Sequence, residues 1–295
     1  MERLPRINIS EGQKDEVSQS WSYLKALSAI EELWDAVVQN YLEFESQQLS
    51  AALKDSMVLT GLYQDHNKSR REFSRSLSNL LHSCRGYINK SRQIKMGDPS
   101  SDHLYEFKKS FKEQYDNSFA YRLMEALRNF SQHRGEPVHS LTISSGWEGK
   151  GFADNENALL RISVAPKLDL EKLLSDPSFK AGIKGEISDK GRWLDLRLIV
   201  REYIQCLGCV HEAMRSHTKP SFDHSCKIVL KVLNDYDACL DKSRSLKVVS
   251  IYRESDDVKM ETVFEDLTLY VTHLRSSNQT AKNLSKYFIT NRVES

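Results

Sequence analysis

The 295-residue sequence predicts a mainly α-helical chain carrying a small antiparallel β element. Through most of its length apolar residues recur at three- and four-residue steps, the period of a helix with one buried face. Two stretches replace that period with alternation of apolar and polar residues, as half-buried strands do. Clusters of Gly and Pro separate the segments and mark where the chain turns.

Each element follows from one of these signals. Ile30, Trp34, Val37, Tyr41 and Phe44 predict one long amphipathic helix over about residues 16–54. Phe73, Leu77, Leu80, Leu81, Cys84 and Ile88 predict a second, stopped by Met96-Gly97-Asp98-Pro99. Ser100, Ser101 and Asp102 are suited to capping a third stretch, which carries Phe107 and Phe111. It continues with Phe119, Leu123, Leu127 and Phe130 after a break at Asp116-Asn117, and ends at Gly135 and Pro137. Leu141 and Ile143, then Leu160, Ile162 and Val164, alternate on either side of a loop from Gly146 to Asn157 and predict a hairpin. Helical spacing returns with Leu196, Val200, Tyr203, Leu207, Val210 and Met214, and a further helix is expected to start at Pro220. Two more strand-like runs, Leu246–Tyr252 and Val258–Phe264, precede a helix around Leu267–Leu274 and a short terminal one. Because isolated hairpins are marginal in water, both strand pairs are expected to join one sheet. The domain reading is a helical body over 1–243 with a hairpin insertion near 138–168. Residues 244–295 either pack on that body or form an appended module.

Composition excludes several classes. Lys and Arg number 42 against 41 Asp and Glu, so a polyanion would have to be recognised by a local patch. No apolar run reaches the roughly 20 residues that a bilayer span needs, and no apolar signal core follows Met1. Five scattered cysteines suit a reducing compartment, so the expectation is a soluble, cytoplasmic protein without membrane partners.

Chemistry concentrates at the end of the helix preceding Gly135. An Arg separated by four to six residues from a following His occurs at Arg75…His82, Arg128…His133 and Arg134…His139, and chance alone supplies roughly two such matches. Only Arg128 is followed by Asn129 and lies at the end of a periodic helix. Asn129 and His133 are four apart and share a face if the helix reaches His133. Glu125, one turn earlier, is placed to orient Arg128 or Asn129. In the last turn, backbone carbonyls favour a protonated His133. An Arg fork, an amide and a titratable imidazole thus gather at one helix end, which reads either as a phosphate-handling site or as a hydrogen-bonded helix terminus.

The segment from Glu125 to Val138 resembles the signature of the HEPN superfamily, in which an Arg, usually followed by a polar residue such as Asn, precedes a His by four to six positions. The likeness is tight over these residues and general elsewhere. It implies an up-and-down helical bundle of HEPN type, often a homodimer with its motifs facing one another. It also implies metal-independent RNA cleavage in defence, stress or toxin–antitoxin systems, with an antitoxin or other regulatory protein as partner, although some members are non-catalytic binding modules. Certain relatives carry a regulatory Tyr two residues after the His; here that position is Gly135. The expected catalytic residues are Arg128 on the phosphate, Asn129 orienting it, and His133 as acid or base, supported by Glu125, with no metal or other cofactor. A dimer would supply the second His that paired acid and base catalysis prefers.

Residues 66–95 hold eight basic residues and one acidic, a local charge in a nearly neutral chain. Arg70, Arg71 and Arg92 are the expected RNA-binding residues on that face, against the plainer reading of a solvated helix surface. Cys206-x2-Cys209, with His211, His217, His224 and Cys226 downstream, falls inside a periodic helix and suits buried thiols better than a zinc knuckle. Gly146-Trp-Glu-Gly-Lys-Gly151 lacks the Ser or Thr after Lys that a phosphate loop requires.

Overall fold

Helix α1 starts where the sequence supplies a capping box. In a computed structural model, the Ser10 N–H donates to Gln13 Oε1 (2.8 Å) while the Gln13 N–H donates to Ser10 Oγ (3.3 Å), satisfying two donors at the helix start. The structure describes residues 5–57, 63–93, 103–148, 159–240, 247–252, 259–278 and 281–286. Among them are eight α-helices: α1 Glu11–Met57, α2 Tyr63–Ser91, α3 His103–Asn117, α4 Phe119–His133, α5 Leu170–Ser175, α6 Ala181–Ile187, α7 Leu196–Asp237 and α8 Glu265–Ser277. The protein is therefore mainly helical with a small antiparallel β content, as its periodicity predicts. The stop at Met96–Pro99, the caps at Ser100–Asp102 and the loop from 149 onward lie outside the described residues.

The chain forms two compact units. The first comprises residues 1–35, 87–110 and 211–280. Its apolar cluster joins Val17, Trp21 and Leu24 of α1 to Val229, Leu233 and Tyr236 of α7. Strands β4 (Val248–Tyr252) and β5 (Lys259–Phe264) pair antiparallel and add Val249, Ile251 and Val263 to it. Alternation explains why: on β4 positions 249 and 251 are buried while 248, 250 and 252 are exposed. The Phe264 ring stands edge-on to Trp21 at 4.8 Å.

The second unit comprises residues 36–86, 111–210 and 281–295. Phe73, Leu77, Leu80, Leu81 and Cys84 of α2 are buried in it, together with Leu123, Met124, Leu127 and Phe130 of α4. Strand β1 (Ser140–Glu148) pairs antiparallel with β2 (Leu159–Asp169), and β2 pairs with the short β3 (Trp193–Asp195). Gly208 of α7 lies so close to a short 3-10 turn region that a Cβ there would stand 2.6 Å from Ala281 Cβ.

Two expectations are corrected. The strand pairs form two separate sheets, β1-β2-β3 and β4-β5, and the second has its own apolar cover in the cluster of Val17, Trp21 and Val229. Helix α7 does not restart at Pro220 but runs through it. Proline leaves the Ser216 carbonyl without its helical donor, and since Ser216 and Pro220 are both exposed, water can take that carbonyl. Among the described residues no helix is long and apolar enough to cross a membrane.

Candidate functional site

Helix α4 begins on Ser118, whose Oγ accepts the Tyr121 N–H (3.1 Å) and donates to Glu202 Oε1 (2.7 Å). One face, from Ala120 to Phe130, is buried, which fixes the helix rotation and turns Asn129 and His133 outward. The helix does reach His133, so these two side chains share a face of its last turn. It then closes with the Arg134 N–H donating to the Phe130 carbonyl, and Gly135, Glu136 and Pro137 lead away. Arg128 is half-buried: its Nη1 donates to Gln132 Oε1 (2.9 Å), and its Nε is enclosed without a partner among the described residues.

Glu125 turns away from this group. Its oxygens accept from Arg85 Nη1 (3.2 Å) and from the Tyr203 hydroxyl (2.9 Å), so it anchors α2 and α7 to α4 instead of orienting Arg128 or Asn129. The basic residues divide. Arg70 is bonded through Nη1 to Glu136 and to the Val138 carbonyl (3.0 Å), while Arg71 is exposed. Arg92 belongs to the other compact unit.

Three residues past His133 a cleft of about 550 Å³ opens, lined by Asn67, Arg70, Glu136, His139, Asp169, Lys172 and Trp193. Asp169 caps α5 by accepting the Glu171 and Lys172 N–H groups, binds Arg192 Nη2 (3.1 Å), and donates its own N–H to His139 Nδ1 (3.0 Å). That bond leaves the proton of a neutral imidazole on Nε2, a buried donor without a partner among the described residues. Burial, with the Lys172 charge nearby, pushes His139 down to about 4, so the ring is neutral near pH 7. A second recess, lined by Gln64, Asn67, Arg70 and Arg71, shares Asn67 and Arg70 with the first. Of these residues the sequence pattern signals Arg70 and Arg71 by charge and His139 by a spacing that chance also supplies. Lys172 and Trp193 carry no sequence signal, since they meet the others only through the sheet.

In the first unit a different set of titratable groups is buried. Glu31 accepts from Arg215 Nε (3.1 Å) and Nη2 (2.5 Å) and from His211 Nε2 (3.1 Å), while the Tyr87 hydroxyl meets His211 Nδ1 at 3.0 Å. Trp34 stacks on the His211 ring at 4.7 Å. Burial alone would raise the Glu31 carboxyl, yet the bonds from His211 and Arg215 outweigh it and hold it at about 2. Burial drives His211 down to about 4 despite the Glu31 charge. Glu31 is 0% exposed, and no substrate reaches it. Among the described residues no three His, Cys, Asp or Glu side chains gather as a metal site would need.

Fold and site thus define a mainly helical protein in which Asn129 and His133 face solvent at a helix end beside the half-buried Arg128, close along the chain to a polar cleft. No protein-family model matches the chain, and no curated protein or solved structure matches it.

Proposed function

We propose that the chain is a metal-independent endoribonuclease of HEPN type, a cytoplasmic toxin or defence and stress effector that works as a homodimer and is restrained by an antitoxin or similar regulator. The observation that carries this reading is the α4 terminus, where Asn129 and His133 face solvent from one turn beside Arg128. In the reaction the RNA 2′-oxygen attacks phosphorus and the bond to the 5′-oxygen breaks, giving a 2′,3′-cyclic phosphate and a 5′-hydroxyl. Arg128 holds the phosphate and stabilises its growing charge, Asn129 orients it, and His133 moves the proton. One imidazole serves as base or as acid at a given instant, and a second copy of the chain supplies the other. The 2′-hydroxyl requirement restricts cleavage to RNA.

One observation favours a second reading, a non-catalytic RNA- or protein-binding module. Glu125, the nearest carboxylate on α4, is committed to Arg85 and Tyr203, so nothing acidic polarises His133 from within its own helix. Labelled RNA incubated with the purified chain in EDTA separates the two. Cyclic-phosphate ends that vanish in His133→Ala support the nuclease; equal cleavage by both proteins, or none by either, leaves the binding module.

A further inference from the structure

The two recesses at the start of α2 share Asn67 and Arg70 and adjoin as one groove. Its acids are engaged: Glu136 with Arg70, and Asp169 and Glu171 with Arg192. Its remaining cations are not, since neither Arg71 nor Lys172 has a carboxylate partner among the described residues, and both are exposed. The groove therefore carries a positive excess although the whole chain is nearly neutral.

Three further features narrow the ligand. Trp193 is 46% exposed at the groove, where solvent-facing tryptophan needs a reason, and the Arg192 guanidinium lies over its ring at 5.1 Å from the centroid. Asn67 and Gln64 present amides that both donate and accept. The His139 ring lines the groove, with its Nε2 enclosed and without an acceptor among the described residues. Cations for phosphates, an aromatic face for a base, and amide and imidazole groups for base edges or a 2′-hydroxyl describe one polymer. We propose that this groove binds single-stranded RNA, with a base stacked on Trp193 and the flanking phosphates on Lys172 and Arg71.

The inference rests on the RNA reading of the α4 end and supplies the substrate's path to it. His133 and Glu136 are three residues apart, so their backbones lie within about 11 Å of one another. A strand held in the groove passes close to the helix terminus.

The test is fluorescence anisotropy with a labelled single-stranded RNA of about a dozen nucleotides, in EDTA and low salt, on the full chain carrying His133→Ala so that the RNA stays intact. Trp193→Ala is expected to weaken binding about tenfold or more, while Trp193→Phe keeps it within about threefold because the stacking face remains. Arg71→Glu and Lys172→Glu, both at exposed positions, are each expected to weaken it and to flatten the salt dependence by about one phosphate contact. Lys231→Glu, an exposed charge in the other unit, is expected to change neither. No measurable RNA binding overturns the proposal, as do groove variants that all stay within twofold of the parent, or an equal loss from Lys231→Glu. RNA bound through the groove without cleavage by the wild-type chain removes the nuclease and keeps the groove. Cleavage that persists with binding indifferent to the groove variants does the reverse.

Discussion

Each compact unit places an arginine and a histidine within two turns of one helix, on opposite terms. In the first, Glu31 and His211 are closed off from water, Arg215 is partly buried, and both oxygens of the carboxylate are engaged. In the second, Asn129 and His133 end a helix in solvent beside the half-buried Arg128, whose guanidinium bonds among the described residues to Gln132. Burying the first set removes its hydration, so its bonds must all be made or the fold suffers. Exposing the second set leaves its chemistry available and its share of stability small. The same residue types thus serve folding in one place and are offered to a ligand in the other.

The sharpest way to break this contrast is catalytic. His133→Ala is expected to lower RNA cleavage in EDTA by about 100-fold or more, with Arg128→Ala and Asn129→Ala also impaired, read as the rate of cyclic-phosphate formation. Activity within threefold of wild type for His133→Ala would end the assignment.

Next in size is the buried centre. Glu31→Ala leaves Arg215 with backbone carbonyls but no counter-charge, removes the acceptor of His211, and is expected to destabilise the chain by about 3–5 kcal/mol in urea unfolding. A loss below about 1 kcal/mol would mean that the enclosed carboxylate contributes little.

Acid should act on the same centre. His211 sits at about 4 in the folded chain against an ordinary 6.5, and His139 in the second unit behaves likewise. The unfolded chain therefore takes up these protons first, so stability is full above pH 6.5 and falls as the pH drops toward 4. Glu31, held at about 2 against 4.5, contributes above pH 4.5, and its share is lost as the pH falls toward 2. The melting temperature should decline across pH 6.5 to 4 in calorimetry, and a flat profile there would contradict the buried, neutral imidazoles. The smallest effect closes the comparison: Asn129→Ala and His133→Ala should leave unfolding stability within about 0.5 kcal/mol of wild type.

How far the sequence foretold this depended on distance along the chain. The long helices were legible because a period of three to four residues repeats many times in α1, α2 and α7. Helices α5 and α6, at six and seven residues, are too short to establish a period, and β3 has only three. The α4 end was readable because its three polar residues lie within six positions. Glu31 and His211 are 180 residues apart, and Arg70 meets Glu136 across 66, so no local pattern announces either meeting. Pro220 misled for a different reason: the breaker rule assumes a carbonyl that must be satisfied within the helix, and an exposed one need not be.

Gly208 has a bearing on how the chain would meet a protease. The segment from Ala281 to Lys286 is seated against α7 because that position carries no side chain. Gly208→Val would push the segment off its seat, and Lys282 and Lys286 would then present an unfastened backbone to trypsin. Brief digestion should trim the variant at these lysines while the same sites in the wild-type chain are cut more slowly. One missing methyl group, three residues before His211 on the same helix, would in that way set how long this stretch of chain survives proteolysis.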